Sequence, residues 1–200
     1  MLTHSAYGRA RGFTIIELVI AIALVGVMLK LGLPSFTAWI SNAKVRTVTD
    51  ALQNGIRLAQ TEALRRNRTV VMSLTNATPA INATPSVNGK FWSLQTVAKL
   101  GDTAGEYIQG GALTDVASGV TITGQAAAIC FNSNGRLVTL PSSATGVGTA
   151  CIVDDTKTFY DVNVAGAADR PLRVTVGLAG QVRLCDPNRP ARSDTSPDGC

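Results

Sequence analysis

Histidine is almost missing from this chain of 200 residues; His4 is the only one. No residue beyond Gly12 can therefore complete a Ser-His-Asp or Cys-His arrangement for nucleophilic catalysis. No Cys-x-x-Cys pair or His/Cys cluster has metal-site spacing, and no glycine-rich phosphate loop is present. Asp154 and Asp155 are adjacent carboxylates, but strand neighbours point to opposite faces, which favours a solvated turn over acid/base work. These exclusions read the chain as a non-enzyme without cofactor or metal. Cysteine is absent before Cys130, and all four cysteines lie downstream of a long apolar run, an even count that suits an oxidising compartment. Charge is sparse at 16%, with a formal net of +5; losing Arg9 and Arg11 with the first twelve residues would leave +3. A balance that weak does not by itself argue for a nucleic-acid partner.

What the chain does have is an apolar run from Phe13 to Leu33, 21 residues whose only charged members are Glu17 and Lys30. At about 1.5 Å per helical residue it can cross a hydrocarbon core of roughly 30 Å. A carboxylate at membrane depth costs about 2.5–3.5 kcal/mol on insertion scales and needs a cation. No Lys or Arg of the run lies within a turn or two of Glu17. Cutting after Gly12 would supply one, because it frees an amine on Phe13 about one turn away, and a staggered neighbouring copy could pair amine with carboxylate. Arg9 and Arg11 keep the short N-terminal side cytoplasmic under the positive-inside rule, and the C-terminal bulk is then periplasmic or extracellular. An ordinary secretory leader has its apolar core before the cleavage site; here the core follows Gly12 and would be retained.

Gly12-Phe13-Thr14-Ile15-Ile16-Glu17-Leu18, behind a short basic leader and ahead of the apolar run, resembles the processing signature of type IV pilins and type II secretion pseudopilins. The resemblance implies cleavage after Gly12 by a prepilin peptidase, N-methylation of Phe13, and Glu17 guiding assembly with other pilin or pseudopilin subunits from the inner membrane. Pro34 follows Gly32, removes a helix hydrogen bond and is expected to kink the helix, at a distance from the new N-terminus where pilins carry a proline. Trp39 would sit near the outer interface of the span, as an anchor or packing residue.

Helical periodicity continues past the span in Val45, Val48, Leu52, Ile56, Ala59 and Ala63, with Gly55 on the same stripe, which is expected to face a sheet. The stretch Leu58-Ala59-Gln60-Thr61-Glu62-Ala63, then a basic turn, then Thr69 to Leu74, looks like the FimT/FimU/GspH group of minor pilins and pseudopilins. Arg65, Arg66 and Arg68 read as solvated cations complementing the helix dipole. The near-repeat Asn76-Ala-Thr-Pro79 and Asn82-Ala-Thr-Pro85 marks an exposed loop running to Gly89.

Short β-branched runs follow at 91–97, 119–123, 129–131, 136–140, 159–164, 172–178 and 181–185, with hairpin signals at Asn134-Gly135 and Ala179-Gly180. The expected fold class is α+β and pilin-like, a long N-terminal helix packed on antiparallel sheet. Its expected divisions are a leader at 1–12, a transmembrane helix at 13–33, an amphipathic continuation at 34–68 and a periplasmic β-rich domain at 69–200.

Four cysteines permit three pairings. Cys185 and Cys200 bracket a proline-rich tail that cannot form a core, with 14 residues between them, so a bridge there would fasten a C-terminal loop. Cys130 and Cys151 would then be partners, each closure contributing roughly 2–4 kcal/mol on the loop-entropy model. Type IV pilins commonly tie a C-terminal loop in this way, whereas secretion pseudopilins of this group often lack the bridges, which favours a pilus component. Arginines gather in the last strands and tail. Arg183, Arg189 and Arg192 are candidates for binding DNA phosphates, set against pairing with Asp169, Asp186 and Asp194. Some FimT-like minor pilins bind DNA through Gly-Arg-x-Arg; here the positions read Gly180-Gln181-Val182-Arg183, without the first arginine.

Overall fold

A computed structural model describes residues 12–153, 158–164, 170–191, 193 and 195–200. Asp154, Asp155, Asp169, Arg192, Asp194 and the leader arginines lie outside the described residues. Helix α1 spans Ile15–Arg66 and runs through Pro34 without a break in its assignment. The chain divides into two compact units, one up to Trp39 and one from Ile40 onward.

In the first unit the described apolar side chains from Phe13 to Leu33 are all exposed, Phe13 at 86% and Ile16 at 70% among them. Among the described residues, α1 is the one helix long and apolar enough to cross a membrane. Phe36 and Trp39 stack, with ring centroids 6.1 Å apart.

The second unit holds the core. Val45, Val48, Leu52, Ile56, Ala59 and Ala63 are buried to within 1% of completely, the stripe read from their spacing. They share one core with two antiparallel four-stranded sheets. The first sheet is ordered β3 (Tyr107–Ala112), β2 (Phe91–Thr96), β1 (Val70–Thr75), β5 (Ala128–Phe131). The second is ordered β4 (Val120–Gly124), β6 (Thr158–Val164), β7 (Leu172–Val176), β8 (Val182–Cys185). Gly55 lets the helix approach the first sheet closely, since a Cβ there would lie 3.1 Å from the Trp92 ring and 3.3 Å from Met72 Cε.

Strands β1, β2 and β5 of the first sheet are buried on both faces, while β3 at its edge is partly exposed. Val70, Met72, Leu74, Ile129 and Phe131 turn toward the helix stripe. Val71, Ala128 and Cys130 turn the other way, into a smaller cluster closed by Val147 and Cys151. The Cys130–Cys151 disulfide ties that cover to β5, and Cys185–Cys200 closes the C-terminal loop as the tail composition led one to expect.

Four features differ from the sequence reading. The run 136–140 is not a strand. The turn at Asn134-Gly135 forms, with Gly135 N–H donating to Asn132 O at 2.9 Å, but the return segment changes partner along its length, Leu137 bridging Phe131 and Leu140 bridging Cys151, so no continuous ladder forms. Strand β3 escaped the sequence reading because Gly110 and Gly111 interrupt its alternation. The polar loop at 76–89 is fastened to β2 as well as exposed. Asn82 N–H donates to Oε1 of buried Gln95 at 2.7 Å, and Gln95 Nε2 donates back to Asn82 Oδ1 at 3.0 Å.

The basic turn after α1 is ion-paired, with Arg65 still largely exposed. Glu62, 9% exposed, accepts from Arg65 Nη2 at 2.6 Å and from Arg66 Nε at 2.7 Å. Arg66 also reaches Glu106 at 2.8 Å, and Arg68 pairs with Asp102, so the β2–β3 connection is clamped to the helix end. Hydrogen bonds from Arg65, then Arg66, hold the Glu62 carboxyl at about 2 against an ordinary 4.5. A depressed carboxylate stabilises the fold above its unfolded pKa and ceases to do so as pH falls through the folded value. Glu62→Gln is therefore expected to lower stability by roughly 1–2 kcal/mol at neutral pH, allowing for solvent screening around the exposed Arg65. The difference from the parent should vanish between about pH 4.5 and 2 in urea titrations.

Candidate functional site

Two places on the chain carry candidate functional residues. At the start of α1, Thr14 caps the helix: its Oγ1 accepts from Glu17 N–H at 3.3 Å, while its carbonyl accepts from Leu18 N–H at 3.1 Å. Thr14-x-x-Glu17 is the spacing of a capping box, a signal the sequence reading passed over. Glu17 sits in the first turn, where the helix dipole favours an anion. Among the described residues no cation pairs with its carboxylate, and Gly12 and Phe13 precede it in exposed, non-helical backbone.

The second place is a cleft of about 420 Å³ in the domain from Ile40 onward, walled by α1 (Gln53, Arg57), the disulfide-tied tail (Pro197, Gly199) and the edge strand β8. Arg173 crosses its floor. The guanidinium lies 4.1 Å over the Phe159 ring and donates to both Asp161 oxygens, at 2.6 and 2.8 Å, which raises its pKa above the usual arginine value. Phe159, Asp161 and Arg173 come from paired strands β6 and β7, with Asp161 opposite Arg173 in register.

The arginines singled out from sequence fare differently. Arg183 on β8 is exposed, lines the cleft and has no acidic partner among the described residues. Arg189 is occupied, 2.9 Å from Asp198 and 3.6 Å from Asp186, and serves the tail. Arg57, exposed on the helix and unpaired among the described residues, is the cationic wall that sequence reasoning missed. Its only signal was its place on the polar side of the stripe.

The family model of the type II transport protein GspH matches residues 48–180, two thirds of the chain and most of the two-sheet domain. This chain belongs to that family. A prokaryotic N-terminal methylation motif matches residues 8–29, which include Gly12, Phe13 and Glu17. No curated protein matches the chain. Among solved structures, the type IV minor pilin FimU of Pseudomonas aeruginosa is 16% identical, with a TM-score of 0.52, covering 75% of this chain and 97% of that one. The minor pseudopilin EpsH of Vibrio cholerae type 2 secretion is 13% identical, with a TM-score of 0.46, covering 74% and 98%. The FimU likeness shows the pilin-like fold: a long N-terminal helix followed by antiparallel sheets, here closed by the C-terminal disulfide. Members of such a family serve as structural subunits and assemble with other pilin-like subunits, and the apolar helix with its methylation motif suits membrane anchoring.

Proposed function

We propose that the GspH-family chain is a minor pilin that is incorporated into a type IV pilus or primes its assembly. Residues 13–33 hold the precursor in the inner membrane with the sheet domain in the periplasm. A prepilin peptidase cuts after Gly12, Phe13 is N-methylated, and its new amine meets Glu17 of an adjoining subunit. Pro34 bends the helix beyond the span. The observation that carries this reading is the helix start: a carboxylate with no cationic partner among the described residues, one turn from the cut, on a segment exposed on every described side. Apolar exposure of that extent calls for lipid or other helices around it.

The family description itself favours a second reading, a pseudopilin of a type II secretion system. Deleting the gene and scoring surface pili against secreted proteins separates the two. Loss of pili with secretion intact is expected, whereas loss of secretion with intact pili overturns the pilus assignment. Mass spectrometry of the mature protein should show a chain beginning at methylated Phe13. A DNA-binding role needs several free cations in a row. Arg189 is held by two aspartates, which leaves Arg183 as the one unpaired candidate among the described residues.

A further inference from the structure

Most arginines of the domain are already neutralised. Arg46, Arg65, Arg66, Arg68, Arg173 and Arg189 each have a carboxylate partner. Of the four described arginines left unpaired, Arg57, Arg136, Arg170 and Arg183, two face the same cleft, Arg57 from the helix and Arg183 from β8. A cleft that gathers two of the four arginines without a carboxylate partner among the described residues is complementary to an anion.

The cleft has a second property. Val182, Arg183, Leu184 and Cys185 all line it. Successive strand residues point to opposite faces, so four in a row can border one cavity only if the edge of the strand is presented to it. Strand β8 is the outer member of its sheet, pairing with β7 alone. Its outward backbone groups are a template for another extended chain.

We infer that this cleft receives an extended acidic peptide from a partner protein, which adds to the edge of β8 and places a carboxylate between Arg57 and Arg183. Backbone pairing along β8 supplies affinity, the two guanidinium groups select the charge, and Leu184, 37% exposed, meets an apolar neighbour on the incoming strand. A polyphosphate backbone fits the site less well. Asp161 holds Arg173, and Asp186 and Asp198 hold Arg189, so only Arg57 and Arg183 remain there to meet an anion, whereas a nucleic acid draws its affinity from neutralising many phosphates at once. The inference rests on the cleft alone and does not depend on which filament the subunit serves.

The full chain in detergent micelles, titrated with a fluorescein-labelled peptide of alternating glutamate and valine, tests it by anisotropy. The peptide is expected to bind, a lysine–valine counterpart not to bind, and Arg57→Gln and Arg183→Gln each to weaken binding about tenfold, the loss of one charge-assisted contact. Arg136→Gln, which removes an unpaired arginine away from the cleft, should leave affinity unchanged. Amide hydrogen exchange should slow at 182–185 when the peptide is bound. Absence of peptide binding, insensitivity to both cleft substitutions, or unchanged exchange in β8 overturns the inference. So does an oligothymidylate that binds more tightly than the peptide with the same dependence on Arg57 and Arg183.

Discussion

Glu17→Ala is expected to leave the precursor inserted in the membrane and cleaved, yet to remove it from sheared filaments. In the proposed filament the carboxylate is neutralised by the Phe13 amine of a neighbour, in surroundings of low dielectric. Breaking a buried pair by deleting one member typically costs 3–5 kcal/mol, because the other charge is left uncompensated. That is roughly two to four orders of magnitude in an assembly equilibrium. Glu17→Gln sharpens the test. The cap depends on Thr14 Oγ1 accepting from the backbone of residue 17, and glutamine keeps that bond and the side-chain volume while losing the charge. If the residue merely starts the helix, the glutamine variant should assemble normally. If it is the partner of an amine, both variants should be missing from the filament fraction while staying abundant in membranes, as read by immunoblot of the two fractions. Normal incorporation of both would remove the pairing from the account.

Phe131→Ala is expected to be the most damaging single truncation in the sheet domain. Phe131 is the largest of the fully buried side chains and sits on β5 opposite Val70, in the core shared by the helix stripe and both sheets. Truncations of buried phenylalanine cost about 3–5 kcal/mol in lost transfer energy and residual cavity. Against total stabilities of roughly 5–15 kcal/mol that is a large share. For a domain of this size the melting temperature should fall by roughly 6–20 °C. The adjacent Cys130 faces the other side of the same strand, in the cluster with Val71, Val147 and Cys151. Converting both Cys130 and Cys151 to alanine should cost roughly 2–4 kcal/mol through release of the loop between them. The two losses act on opposite faces of β5, and thermal melts of the single and combined changes would show whether the faces are energetically separate.

The helix stripe was legible because its determinant is local: a 3.6-residue period places Val45, Val48, Leu52, Ile56, Ala59 and Ala63 on one side whatever they pack against. Strands with β-branched alternation, such as β6 and β7, were legible for the same reason, as was the glycine turn between β7 and β8, where Gly180 at φ +85° sits in the left-handed region. The strand β3 was not, because two glycines gave it no side-chain pattern; it exists because β2 offers it an edge. The segment 136–140 has strand composition, but it bridges Phe131 at Leu137 and Cys151 at Leu140, and a partner that changes within four residues leaves no ladder. Glu62, a charged residue in a helical pattern, carried no sign that it would be buried beneath two arginines.

From its residues alone this chain is determined to have an apolar helix with one acid near its start, an amphipathic continuation, and antiparallel strands closed by a tail loop. Periodicity, charge placement and turn chemistry act over a few residues and survive in any environment. Tertiary structure alone decided which charges are already spent and which remain. Arg66, Arg68 and Arg173 meet carboxylates that lie 12 to 40 positions away, while Arg57 and Arg183, on a helix and an edge strand far apart in sequence, come to face one cleft. Ion pairing depends on distances of a few ångströms between segments that only folding brings together.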